Sequence, residues 1–383
     1  MGCLFTSPRF ATARFIVAAF LLWRGALFAV DFAVVHTLPE RQPNSNKDYS
    51  AFPRSPFWDS FARWDSGWYD RIARRGYYRE GGQSNVAFFP AYPYLSRWLG
   101  QVVGGHWVAG LLISNLGLLL GLFFLHGIAR RYLDEDGARR AVLFALVFPG
   151  SWFFSTFYTE GLFFFSVAGT FYFYERDRLL PAGLFGFLAA LTRSTGLLLF
   201  PALLLGALHR RGWRLRDLTP RLLHLLWIPA GLGVFMWILA HQVGDPWAWV
   251  SAQAGWGRGL SFPLTTLFEE AMRVDWSFRW STFSTPLFLV LDLATTLGLF
   301  AVVAASLRRL DSAHTVFALL CILVPLASGK VLSMLRFASC VLPLFLVLAV
   351  AARRPLVDRF VTYAFALFLA LETVLFSRWY WAG

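Results

Sequence analysis

Lysine is nearly missing from this chain: it occurs only at Lys47 and Lys330, so arginine carries almost all of the positive charge. Charged residues of both signs make up only 15% of the 383 residues, against about 25% in a soluble domain. That shortage excludes an ordinary soluble globule. Cys3, Cys321 and Cys340 are too few for a disulfide framework, and the last two lie in apolar runs. The seven histidines and the cysteines show no zinc-ligand spacing, and neither G-x-S-x-G nor H-E-x-x-H occurs. No motif calls for a cofactor, and nothing supports a divalent metal.

What is present is apolar: 57% of the residues are hydrophobic and 18% aromatic. The net charge of +13 would suggest nucleic acid in a soluble protein. Here the arginines sit in short segments between apolar runs, the arrangement that orients a polytopic membrane chain, so no nucleic-acid partner is expected. The arginine bias also suggests a bacterial source. The start MGCLFT fits a myristoylation signal at Gly2 and Thr6 and is read as chance. The run 15–35 is read as a retained first helix rather than a signal peptide.

A spanning helix takes roughly 17–25 apolar residues. The segments 13–35, 107–129, 141–157, 158–174, 222–242, 286–306, 313–328, 337–352 and 356–376 qualify. The run 179–208, taken as one helix, would put Arg210, Arg211, Arg214, Arg216 and Arg221 on the wrong side. Two half-length helices meeting at Thr192 to Thr195 repair this and place Arg193 at membrane depth, tolerable only if it is buried in protein or faces a watery cavity. The count becomes about 11 transmembrane or half-membrane helices in a single membrane domain over 1–383. Its N-terminus and the connections 130–140, 209–221, 308–311 and 353–359 are expected inside. Two polar loops, 37–106 and 243–285, are expected on the opposite face. Within the first loop, Trp58, Phe61, Ala62, Trp68, Tyr69, Ile72 and Ala73 have the spacing of one interfacial helix. Pro90 and Pro93 are expected to break the following segment, which then resumes as a second short helix.

Charged groups in apolar surroundings are candidate sites. Arg24 and Asp31, seven residues apart on one helix face, read either as a structural pair or with Asp31 as an acid at a site mouth. Glu160 lies at the end of a candidate helix. Asp134-Glu135-Asp136 matches a D-x-D pattern but is read as a solvated charge run. GWGRGL (255–260) lacks the strand–loop–helix setting of a phosphate loop and is set aside.

The stretch RWDSGWYDRIARRGY followed by AFFPAYP resembles the mannosyltransferase family of phosphatidylinositol-glycan class V and its bacterial relatives. Trp64, Asp65, Ile72, Ala73, Gly76, Tyr77, Phe88, Phe89, Pro90 and Pro93 match its pattern. Tyr158, Glu160, Leu162 and Phe163 match a second motif, with Thr159 in place of serine, and LTRSTGLL a third, with Thr195 in place of asparagine. LRFASCVLPLF resembles a weaker fourth. The resemblance implies a GT-C type membrane glycosyltransferase that takes its sugar from a polyprenyl (dolichyl-type) phosphate. The expected transfer is of a hexose, mannose foremost, to a hydroxyl of a lipid- or glycan-linked acceptor. A bacterial chain places the site on the periplasmic side of the plasma membrane; a eukaryotic one, on the lumenal side of the endoplasmic reticulum.

Such a transfer needs a base for the acceptor hydroxyl and cations for the leaving phosphate. Asp65 is read as the base, with a helix-capping or helix-pinning aspartate as the alternative. Asp31, Asp70 and Glu160 are held in reserve. Arg193, Arg336, Arg63 and Lys330 are the phosphate candidates, since arginine forks suit phosphate oxygens. Arg193 reads alternatively as a structural partner of Glu160. Trp64, Trp68, Tyr69, Phe88, Phe89 and Tyr158 are candidate sugar or lipid contacts, with core packing the alternative for the two phenylalanines. Two other classes remain open: a transporter or lipid flippase, and an inactive lipid-binding scaffold.

Overall fold

The computed structural model describes residues 8–41, 50–79, 81–214, 216, 219–276 and 284–382. Gly2, Cys3, Thr6, Lys47 and Glu80 lie outside the described residues. Helices account for 77% of the structure, and the described residues contain no strand.

The chain runs α1 (Pro8–Thr37), α2 (Pro56–Asp59), α3 (Ser66–Arg75), α4 (Ala91–Val103), α5 (His106–Tyr132) and α6 (Glu135–Val147). It continues through α7 (Glu160–Tyr174), α8 (Leu179–Thr192), α9 (Leu199–Arg210), α10 (Trp227–Val243), α11 (Ala248–Ser251) and α12 (Pro263–Met272). The last elements are α13 (Ser284–Ser306), α14 (Ser312–Ala327), α15 (Met334–Ala338), α16 (Leu342–Ala351) and α17 (Pro355–Ser377). Five segments are long and apolar enough to cross a membrane: Phe10–Thr37, His106–Tyr132, Pro220–Val243, Thr285–Ser306 and Pro355–Ser377. The protein is an integral, multi-pass membrane protein.

The expected break in 179–208 is present. α8 ends at Thr192, Arg193 is extended (φ −153°, ψ 149°), and a 3₁₀ turn over Ser194–Leu198 leads into α9. Gly196 permits the turn, because a Cβ there would lie 2.3 Å from the Ala189 backbone. Three expected helices are shorter than read. α6 stops at Val147, where Pro149 begins a buried 3₁₀ turn over Pro149–Ser155. α7 begins at Glu160 rather than 158. The segment 337–352 divides into α15 and α16.

The interfacial helix also departs from expectation. It splits into α2 and α3, because Trp64 takes a left-handed φ of 51° between them. Phe61, Ala62, Tyr69, Ile72 and Ala73 are buried, whereas Trp58 is 41% exposed. The expected second short helix is α4, which starts at Ala91; Pro93 sits in its first turn rather than before it, where a missing N–H costs nothing. Asp134 is exposed, as expected of a solvated charge run, and also caps α6, accepting from the Gly137 N–H at 2.8 Å.

α5 and α7 pack closely because small residues face each other. A Cβ on Gly161 would sit 2.0 Å from the Ser114 carbonyl oxygen, and one on Gly117 would sit 2.6 Å from the Gly161 oxygen.

Candidate active site

Four elements from distant parts of the sequence bring charged side chains together. Asp65 occupies the N-cap position of α3, yet its side chain makes no cap hydrogen bond. Instead Arg336 donates to its Oδ2 at 2.9 Å. The Asp65 backbone is fixed from below: its N–H donates to the Tyr158 hydroxyl at 3.1 Å, and that hydroxyl donates to the Arg63 carbonyl at 3.1 Å. Trp64 donates its indole N–H to the Tyr380 carbonyl at 3.3 Å and meets Trp379 and Trp381 edge-on.

Glu160 opens α7, where a carboxylate complements the helix N-terminus. It is buried and paired with Arg193, which also donates to Thr159 Oγ1 at 3.1 Å. Arg336 Nε lies 3.4 Å from the same Glu160 oxygen. Arg336 therefore bridges Asp65 and Glu160, and the expected partnership of Arg193 with Glu160 is present. Asp292, inside α13, holds this arrangement in place: its carboxylate accepts from the Leu335 N–H at 2.7 Å and the Ser333 N–H at 2.9 Å. It thereby caps the short α15 that carries Arg336.

A second loop lies over these groups. Gly259 and Ser261 donate backbone N–H groups to Ser328 and Ala327 at 3.1 and 2.9 Å, and Arg258 donates to Ser328 Oγ at 2.7 Å. Burial, then the charges of Arg336 and Arg193, draw the Arg258 guanidinium below its usual range, while Asp65 acts in the opposite sense. A Cβ placed on Gly257 would lie 2.9 Å from Lys330 Nζ. The segment set aside as a phosphate loop thus supplies a cation to the cluster, by folding over it rather than by loop chemistry. Trp256 meets the rings of Trp68 and Phe88 edge-on, and those two stack at 5.8 Å. Tyr69 packs against Phe88 and Tyr158. Burial, then Glu160 and Asp65, push its phenol up, so it stays a protonated donor.

The remaining candidates are occupied elsewhere. Asp31 accepts from Ser60 Oγ at 2.7 Å and from Ser377. It makes no ion pair with Arg24, whose guanidinium lies over Phe28 and Phe61. Asp70 is taken by His106 at 2.6 Å and Arg74 at 3.0 Å. Arg63 pairs with Asp59 at 2.5 Å and Glu40 at 3.3 Å, over the Trp379 ring. Phe89 is core, against Phe235 and Trp249. Tyr158 is 1% exposed and serves the backbone around Asp65, which leaves it no face for a sugar.

The cavity between Glu160, Arg193 and Arg336 measures 10 Å³, the space of about one water. Among the described residues no three His, Cys, Asp or Glu side chains converge to hold a metal ion.

No family model and no curated protein matches the chain. Its backbone does match solved structures. ArnT from Cupriavidus metallidurans bound to undecaprenyl phosphate aligns at 16% identity and TM-score 0.53, over 87% of this chain and 60% of that one. The apo state of ArnT aligns at 16% identity and TM-score 0.52, over 87% and 59%. The chain thus spans about 60% of the length of the structures it resembles. Its architecture is the GT-C fold of membrane glycosyltransferases.

Proposed function

We propose that the protein is a membrane glycosyltransferase that moves a hexose, mannose foremost, from a polyprenyl-phosphate sugar to a hydroxyl of a lipid- or glycan-linked acceptor. The observation that carries this reading is the Arg336 bridge between Asp65 and Glu160, with Arg193 on the same glutamate. The matched ArnT structure, described as bound to undecaprenyl phosphate, supports a lipid-linked donor.

The charge balance suits the chemistry. Arg193, Arg336, Arg258 and Lys330 outnumber Asp65 and Glu160 on the side of α15 that faces away from Asp292. A sugar phosphodiester carries one negative charge. The monoester it leaves behind gains a second, so the surplus favours the product side of the bond being broken. Arginine forks and a lysine ammonium both bind phosphate oxygens.

Donor binding and base release are coupled in this scheme. The phosphate competes with Asp65 for Arg336. Once Arg336 turns to the phosphate, the Asp65 carboxylate is free to take the acceptor hydroxyl's proton while that oxygen attacks the anomeric carbon. The C–O bond to phosphate breaks on the opposite face, and the lipid phosphate leaves with the electron pair. Arg193 and Arg336 hold the phosphate, Arg258 and Lys330 close over it, and the edges of the Trp68–Phe88 stack border the sugar.

Membranes carrying the protein, incubated with labelled polyprenyl-phosphate mannose, are expected to yield a labelled product. Asp65→Asn should retain expression and lose roughly 10²–10⁴-fold of the transfer rate. A folded Asn variant with full activity would refute the assignment of the base.

A further inference from the structure

Hydropathy leaves the segment 243–285 outside the bilayer as a polar loop. Within it α12 has only ten residues, about 15 Å at 1.5 Å per residue, half of what a spanning helix needs. Its surface is nonetheless apolar. Leu264, Phe268 and Met272 are 64%, 67% and 72% exposed, and Leu260 and Phe262, which lead into the helix, are exposed as well. None of these side chains has a role in the transfer scheme.

The helix has three different sides. At about 3.6 residues per turn, Leu264, Phe268 and Met272 share one. Thr265, Glu269 and Arg273 follow on the next, and all three are exposed. Thr266 and Glu270 lie on the third and are buried, where α12 packs against α13 and α14. A helix standing in water carries polar groups on every uncovered side, and one sunk in hydrocarbon carries none. One polar flank beside one apolar flank is the pattern of a helix lying in the plane of the membrane boundary.

The attachments of α12 place it at that boundary. Ahead of the helix, the Ser261 N–H donates to the carbonyl of Ala327, the last residue of α14, at 2.9 Å. The Ser261 hydroxyl accepts from Thr266 at 2.9 Å, which ties the first turn to the same point. Beyond the helix, the chain enters the spanning segment Thr285–Ser306. Apolar side chains are exposed at this level on α14 too, at Val324 in its last turn and Leu332 just past its end.

We infer that α12 is an in-plane membrane anchor. Leu264, Phe268 and Met272, with Leu260 and Phe262, insert among the acyl chains of the leaflet on the side of the Asp65 cluster, while Glu269 and Arg273 stay among the headgroups. The occupant of this face is the bulk bilayer. Arg258 lies just ahead of α12, and Lys330 lies against Gly257. The anchor therefore holds both cations at headgroup level, where a phosphate borne on a membrane lipid meets them without leaving its leaflet. That consequence rests on the reading of Arg258 and Lys330 as phosphate ligands; the insertion itself does not.

Fluorescence quenching in phosphatidylcholine nanodiscs tests the insertion. Cys321 and Cys340 are buried, so in a Cys3→Ser background an NBD fluorophore can be placed through Phe268→Cys or Glu269→Cys. The label at 268 should lose most of its emission to a nitroxide near the top of the acyl chain and little to a soluble cobalt salt. The label at 269 should show the reverse order. Equal quenching of both labels by cobalt would put the apolar face in water, and shielding of the 268 label from both quenchers would mean that protein covers it; either result overturns the anchor. The unaltered protein gives a second measurement in the same discs, with a photoreactive diazirine on the acyl chain. Illumination should attach lipid between residues 260 and 272. No attachment there, or attachment only after polyprenyl phosphate is added, would overturn the assignment to bulk lipid. Neither measurement reads transfer, so failure of the anchor is distinguishable from failure of the proposed activity.

Discussion

Trp64 and Ser333 both adopt positive φ, 51° and 70°, and each stands just ahead of a charged group of the cluster. Left-handed backbone on a side-chain-bearing residue costs about 1–3 kcal/mol and persists only where the surroundings over-determine it. For Trp64 those surroundings are Tyr380, Trp379 and Trp381; for Ser333 they are the Asp292 carboxylate. Arg336, which follows, answers two carboxylates at once. Arg336→Gln is expected to leave Asp65 and Glu160 without that answer and to destabilise the fold by about 3–5 kcal/mol. Thermal unfolding in detergent measures this, and a loss below about 1 kcal/mol would mean that water compensates both acids. Asp65, Glu160, Arg193 and Arg336 were all readable in the sequence, through motif or depth. Arg258 was not, because a lone arginine among loop glycines carries no signal until the loop is folded. Asp292 was hidden likewise, as one carboxylate in an otherwise apolar helix.

Short helices fix the geometry more than long ones do. α15 has only five residues, too few to be stable alone, and Asp292 supplies its N-terminal hydrogen bonds. Asp292→Ala is therefore expected to cut transfer by more than tenfold while Asp65 and Arg336 remain present. Retained activity would show that α15 needs no cap. α2 is pinned by Asp59, which accepts from Ser50 Oγ at 2.8 Å, Phe52 N–H at 3.0 Å and Arg63 at 2.5 Å. Burial alone would raise the Asp59 carboxyl, but Arg63 and the other donors outweigh it and hold it below the ordinary carboxylate range. Its contribution is thus complete above the unfolded-state value near about 3.9 and fades as pH falls through the lower folded value. Asp59→Asn should lower the melting temperature at pH 7, and the gap to the parent should close toward pH 3. A constant gap would assign the loss to packing. Between α5 and α7, Gly161→Val drives a side chain into the Ser114 carbonyl and should abolish monodisperse protein in size-exclusion chromatography.

At the scale of the molecule, ion pairs collect the arginine-bearing connections. Arg210 pairs with Asp311 at 2.6 Å, Arg140 with Asp358 at 3.2 Å and Arg353 with Asp134 at 3.9 Å. By the positive-inside rule this end is expected in the cytoplasm and the Asp65 cluster on the opposite face. A cysteine introduced at Gly212 should react with a membrane-impermeant maleimide only after permeabilisation; labelling in intact cells would reverse the topology. Composition and hydropathy by themselves determined the membrane class, most of the spans and the break at Arg193, because an apolar environment forbids unpaired backbone and stray charge wherever the fold places them. Which charges meet was decided by tertiary structure alone. Asp65 and Arg336 are 271 residues apart, and their contact depends on a strained turn, a buried cap and a crossing loop that no local pattern encodes.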